Sequence, residues 1–208
     1  MNIDMLAFGA HKFNGLRGCG CLIIRKSVLP VKSLIWGGDV TGGTPVPGLV
    51  YAMAIALQWN CEHMEDNIKH ITTMRNYMIK ELSQIPYSHL NGPTPESGAR
   101  AANNINFSFY YINGADIMKE CNDYNIYIST GSACAADDYI ENSGGICIRP
   151  RREGKKIPEV VTIFEAGGLD SDIASNAVRI TLGFNNTMDE CKYVVNTIKD
   201  IIEFNRPL

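Results

Sequence analysis

The sequence predicts an α/β chain in two parts, divided between residues 90 and 91, with a small α+β unit as the second part. Three observations predict it. Near the start, two apolar runs bracket a glycine-rich turn, and a long helical stretch follows. At Asn91-Gly92-Pro93-Thr94-Pro95-Glu96-Ser97-Gly98 the composition breaks into residues that continue neither helix nor strand. Beyond that break, apolar periodicity switches between two and 3.6 in the order strand, helix, strand, strand, helix. With 208 residues the chain has room for one large domain or two modest ones.

In order, Asp4 to Phe8 reads as a buried strand, followed at once by Gly9-Ala10-His11-Lys12. After Gly15-Leu16-Arg17-Gly18 comes a second apolar run, Cys19 to Ile24, closed by Arg25-Lys26. Read locally, Lys12 is a solvated loop residue. Cys19 and Cys21 alternate along a strand and share a face. No second Cys or His pair follows at zinc-site spacing, so they read as packing and no metal is expected. A Gly/Thr/Pro loop from Trp36 to Gly48 precedes a helix that begins at Leu49 and continues with breaks to Leu82. Such a loop either cradles a phosphate or merely connects, and it lacks the Walker pattern. His63 and His70, seven apart, are expected on one helix face as surface or satisfied residues.

Past the break, Asn104 to Tyr111 alternates as a strand, and Ala115 to Tyr124 reads as a helix. Ile126 to Thr130 is expected as a second strand ending in the turn Gly131-Ser132-Ala133-Cys134. Gly131 permits a sharp turn; read locally, Cys134 is either a reactive thiol, which its small polar neighbours favour, or a buried small hydrophobe. The chain then reads as irregular through Gly168, with a basic run, Arg149 to Lys156, taken as a solvated loop. Ala177 to Gly183 is a third strand. Thr187 caps a last helix to about Phe204, with Met188, Cys191, Val194, Val195, Ile198 and Ile201 on its core stripe.

Composition narrows the function classes. The net charge is −3 and the charges are interspersed, so no nucleic-acid partner is expected. No run reaches the roughly 18 apolar residues of a membrane span, and Met1-Asn2-Ile3-Asp4 lacks the regions of a signal peptide. Seven scattered cysteines suit a reduced, cytoplasmic protein.

Four stretches in this order resemble the cysteine desulfurases, fold-type-I pyridoxal-phosphate enzymes of the class V aminotransferase group. Ala10-His11-Lys12 with Gly15 and Gly18-Cys19-Gly20 is similar to the cofactor-lysine loop, and Gly43-Thr44-Pro45 to the phosphate contact. Ser129 to Cys134 is similar to the catalytic cysteine loop, and Val178-Arg179-Ile180-Thr181-Leu182-Gly183 to the substrate-arginine strand.

The resemblance implies a partial fold-type-I large domain over 1–90, followed by a small α+β domain over 91–208. It implies a Schiff base from Lys12 to pyridoxal phosphate, with His11 and Thr44 on the phosphate and Thr44 reaching across a homodimer. Arg179 would hold the α-carboxylate of L-cysteine in a bidentate pair. Cys134 would take the sulfur as a persulfide and release alanine. A sulfur-acceptor protein, for iron–sulfur clusters or thio-modification, would follow. The lysine, normally mid-chain, is residue 12 here, so the chain corresponds to the C-terminal portion of such an enzyme. The ring-stacking histidine and the aspartate for the pyridine nitrogen would belong to a missing N-terminal half. Gly9 stands where the family has a phosphate hydroxyl, and 142–172 is an insertion. Two other readings remain: a silent binding or scaffold module that pairs with a separate half, and a related lyase or aminotransferase without persulfide chemistry.

Overall fold

A computed structural model describes residues 2–28, 44–130 and 171–206. It forms two compact units, 1–67 and 68–208. The division falls inside a helix, and the Gly/Pro stretch 91–98 lies within the second unit.

In the first unit, β1 (Met5–Gly9) pairs antiparallel with β2 (Gly20–Ile24), from Met5 opposite Ile24 to Gly9 opposite Gly20. The expectation of a buried first strand is corrected: Met5 and Leu6 are 44% and 42% exposed, and Ile23 of β2 is 52% exposed. Continuous apolar strands are built to be covered on both faces. Among the described residues of this unit no layer covers this pair. The same holds for α1 (Pro47–Glu62), which is apolar along most of its length yet contains no buried residue. A helix apolar all round belongs in an interior.

His63 ends α1. Its N–H donates to the Trp59 carbonyl at 3.1 Å, and its ring stacks on the Trp59 indole at 4.3 Å. α2 (Met64–Leu82) starts afresh after it. His63 and His70 therefore do not share a face of one helix, as their spacing suggests. His70 instead places Nε2 2.9 Å from the carbonyl of Asn186.

The second unit is built on an antiparallel sheet in the order β3 (Ser88–Leu90), β4 (Asn104–Phe109), β5 (Ala177–Thr181). The other elements are α3 (Gly114–Asp123), a short α4 (Ser171–Ser175) and α5 (Met188–Asn205). Ile105, Phe107 and Phe109 on β4 and Val178 and Ile180 on β5 form one core with Met78 and Leu82 of α2, Ile117 of α3, and Val195 and Ile198 of α5. Cys191, Val195, Ile198 and Ile201 of the expected α5 stripe are buried. Thr187 and Glu190 form a reciprocal capping box, with Thr187 N–H donating to Glu190 Oε2 at 2.7 Å and holding that carboxyl below its usual range. β3 is too short to show in the periodicity. Ile126 to Thr130 is not a strand: among the described residues its β-pairing is the single bridge of Ser129 with Arg179.

Two buried arginines hold the Gly/Pro stretch. The Arg75 guanidinium donates to the carbonyls of Arg100 and Ala101 at 3.2 and 3.0 Å. Arg100 donates to the carbonyls of Pro93 (2.6 Å) and Asn91, and to Asn104 Oδ1 at 2.9 Å. Burial and the neighbouring Arg75 charge lower the pKa of Arg100. Arg100→Met is expected to leave these acceptors buried and unpaired, lowering stability by about 2–4 kcal/mol. A urea midpoint unchanged from wild type would contradict this.

Candidate active site

β4 and β5 carry two faces because successive side chains point to opposite sides. One face is the core. On the other, the register sets Asn106 directly opposite Arg179. Ser129 lies opposite Arg179 on the far side, with Ser129 N–H donating to the Arg179 carbonyl at 3.0 Å and Arg179 N–H to the Ser129 carbonyl at 2.6 Å. The Asn91 amide donates to Asn106 Oδ1 at 2.7 Å and to Ser108 Oγ at 2.8 Å. Directly opposed residues share a face, so Ser129, Arg179, Asn106 and Asn91 make one polar row across the sheet.

Arg179 is half-buried in that row, between neighbours buried to 0% and 6% exposure. A guanidinium fixed on a strand presents a rigid fork suited to a carboxylate. Ser129 stands five positions before Cys134, so its bridge ties the approach to Cys134 to the arginine strand. Cys134 lies outside the described residues, as does nearly all of the insertion 142–172. Asn106 and Asn91 were not singled out from the sequence. The polar half of the alternation Asn104-Ile105-Asn106-Phe107-Ser108 marks them as one face, but nothing local says that this face is buried.

In the first unit, β1 runs into a 3₁₀ turn, Ala10–Phe13, that carries His11 and Lys12, both exposed. Three bonds hold the turn. Ala10 N–H donates to the Cys19 carbonyl and Gly15 N–H to the Ala10 carbonyl, each at 2.9 Å. The third comes from α1, where Asn60 Nδ2 donates to the Phe13 carbonyl at 2.8 Å. Asn60 is a positioning residue that the sequence reading passed over; a polar amide in an apolar helix was its signal. Asn14, at φ 66°, turns the chain out of the 3₁₀ segment.

The His11 ring folds back over Gly9. A side chain there would meet Cε1 at 2.9 Å, so the exposed imidazole would have to turn aside for the hydroxyl residue of the resembled pattern. Thr44 is exposed, three positions ahead of Pro47 at the start of α1. Cys19 packs its Sγ 3.8 Å from Met53 Sδ, in keeping with a packing role. Among the described residues, no group of three or more His, Cys, Asp or Glu side chains could hold a metal.

An exposed amine, an imidazole and a hydroxyl suit an aldehyde that carries a phosphate monoester, so these residues fit the two reactive ends of pyridoxal phosphate. Asp4, the acid nearest the turn in sequence, is paired with Arg25 at 3.3 Å.

Comparison with known proteins identifies the family. The family model for class-V aminotransferases matches residues 1–194. The cysteine desulfurase IscS of Methanosarcina thermophila is 31% identical over 98% of this chain, which covers 46% of that protein. The cysteine desulfurase IscS of Dictyoglomus turgidum is 30% identical over 98% of the chain and 47% of its own length. Among solved structures, a NifS-like protein superposes with a TM-score of 0.74 at 28% identity, covering 98% of this chain and 47% of that one. The cysteine desulfurase CsdA of Escherichia coli, at 15% identity and a TM-score of 0.66, shares the fold. The chain thus spans about half the length of the relatives it matches, and its fold is a partial fold-type-I α/β domain followed by an α+β domain.

Proposed function

The chain belongs to the class-V aminotransferase family, and on that premise we propose that it is the C-terminal portion of a pyridoxal-phosphate-dependent cysteine desulfurase. The observation that carries this is the pairing of Ser129 with Arg179, which joins the segment leading to Cys134 to the strand holding the carboxylate-binding arginine. Residues 1–90 would contribute to the cofactor-binding domain, and 91–208 would form the small domain with the cysteine loop.

The cofactor supplies an electron sink for the bonds at the amino acid's α-carbon. The chain's own residues do the rest. Lys12 would hold the cofactor and, when its amine is free, would move a proton at its Nζ from this exposed turn. His11 and Thr44 donate to the phosphate, and Asn60 keeps the turn against α1. Arg179 fixes the α-carboxylate of L-cysteine. Cys134, as thiolate, would attack the substrate sulfur: the S–S bond forms as the Cβ–S bond breaks. Cys134 keeps the sulfur as a persulfide, and the carbon left with the electron pair takes a proton so that alanine leaves.

The apolar, uncovered β1–β2 pair and α1 support a second element of the reading: this chain works with a partner, either a second copy of itself or a separate polypeptide that carries the missing half. That half would bring the ring-stacking residue and the acid for the pyridine nitrogen. A sulfur-acceptor protein would then discharge Cys134.

The chain by itself is expected to retain pyridoxal phosphate weakly or not at all. Borohydride reduction, followed by peptide mapping, checks this. A stoichiometric yellow adduct on Lys12 of the isolated chain would mean that its site is self-sufficient. With the complementary half added, the adduct should appear on Lys12. An adduct on any other lysine overturns the assignment.

A further inference from the structure

The second unit holds a cleft of about 600 Å³ between the end of α2 and the last turns of α5. Ile85, Pro86 and Ile202 make its apolar wall, Lys199 and Glu203 flank it, and Arg206 and Tyr87 line it as well. None of the residues assigned to desulfurase chemistry takes part in it. Arg206 is unusual here. Its Nη1 donates to the Pro86 carbonyl at 2.7 Å, while Nε and Nη2 are buried with no acceptor among the described residues. Nε–H and Nη2–H lie on one edge of the guanidinium, the edge whose parallel N–H bonds match a carboxylate. A charged donor pair shut away from water without an acceptor is costly.

The Tyr87 ring lies 5.8 Å from the Arg206 guanidinium carbon and covers it. Yet Tyr87 itself is 64% exposed, and its backbone sits at φ 56°, in the left-handed region that a tyrosine rarely adopts. Strained residues of this kind gather where a ligand is gripped. The ring also meets Tyr111 edge to face, at 5.7 Å, and with most of its surface in solvent it has room to rotate off the guanidinium.

We propose that this cleft binds a small monocarboxylic acid with an apolar body. The carboxylate takes the Nε/Nη2 edge of Arg206, and the body lies on Ile85, Pro86 and Ile202, with Tyr87 as the movable cover. The charges argue for one negative charge rather than two. Lys199 already pairs with Glu81 at 3.0 Å, and Glu203 adds a second acid to the rim, so a phosphate dianion is disfavoured. The volume lies within the range of small-molecule sites, roughly 300–1,000 Å³.

Calorimetric titration of the full chain with 3-phenylpropionate, and separately with its uncharged amide, tests this. The acid is expected to bind saturably, at least tenfold more tightly than the amide. Arg206→Gln should reduce acid binding to the amide's level. Arg206→Lys, which keeps the charge but not the fork, should lose most of it. Equal binding of acid and amide by the wild-type chain, no binding of the acid at 10 mM (about 2.7 kcal/mol of affinity at that limit), or unchanged acid binding by a folded Arg206→Gln variant overturns the proposal. The acid–amide comparison needs no variant, so it decides even if the Arg206 variants fail to fold.

Discussion

Cys134→Ala is expected to lower sulfide release from L-cysteine by about a thousandfold or more, equivalent to roughly 4 kcal/mol of barrier. The reason is chemical. The sulfur leaves the substrate by forming a bond to a thiolate, and an alanine methyl offers no electron pair for it. Nor would Cys121 or Cys191 substitute: both are buried core residues, and burial pushes the Cys121 thiol up to about 11. A protonated, enclosed thiol is a poor nucleophile. The assay belongs on the chain complemented with the other half, measuring sulfide and alanine together. If the variant releases sulfide within tenfold of wild type, Cys134 is not the acceptor. Loss of sulfide with intact cofactor binding at Lys12 would separate the nucleophile from the cofactor site.

Phe107→Ala should destabilise the second unit by about 3–5 kcal/mol. Phe107 is 1% exposed at the centre of β4, stacked on Phe109 with ring centroids 5.8 Å apart. Helices and sheet meet around it, so the walls of the cavity left by the ring cannot easily collapse. The cost then includes lost packing as well as lost transfer energy. Both tryptophans, Trp36 and Trp59, fall in residues 1–67, so their fluorescence does not report this unit directly. Far-UV circular dichroism against urea should show the midpoint fall. A shift under 1 kcal/mol would mean that β4 is not the keystone of this core.

Phe107 also shows what kind of information the sequence held. Ile105, Phe107 and Phe109 alternate with polar residues, and alternation at period two is a property of the strand itself. The spacing of Cys191, Val195 and Ile198 is likewise local, and α5 follows it to a capping box at Thr187 and Glu190. The turn holding His11 and Lys12 also formed where the glycines put it. Failures occurred where one element's state depends on another. Asp4 to Phe8 reads as a buried strand, but burial needs a second layer. Ile126 to Thr130 has strand residues, but its bonds go to β5 at a single bridge. His63 and His70 have helical spacing, but His63 falls between α1 and α2, so the two do not lie on one helix.

By itself, then, the sequence determined the strands β1, β2, β4 and β5 and the helices α3 and α5, the stripes that face the core, and a set of reactive residue types matching one enzyme family. Those follow from backbone periodicity and side-chain chemistry, which each segment carries alone. Only the tertiary structure decided that Asn91, Asn106, Arg179 and Ser129 line up across one sheet, that Asn60 clasps the lysine turn, and that Arg206 keeps an unpaired edge beneath Tyr87. Register and burial are properties of pairs of segments far apart in the chain, and no single segment specifies its partner.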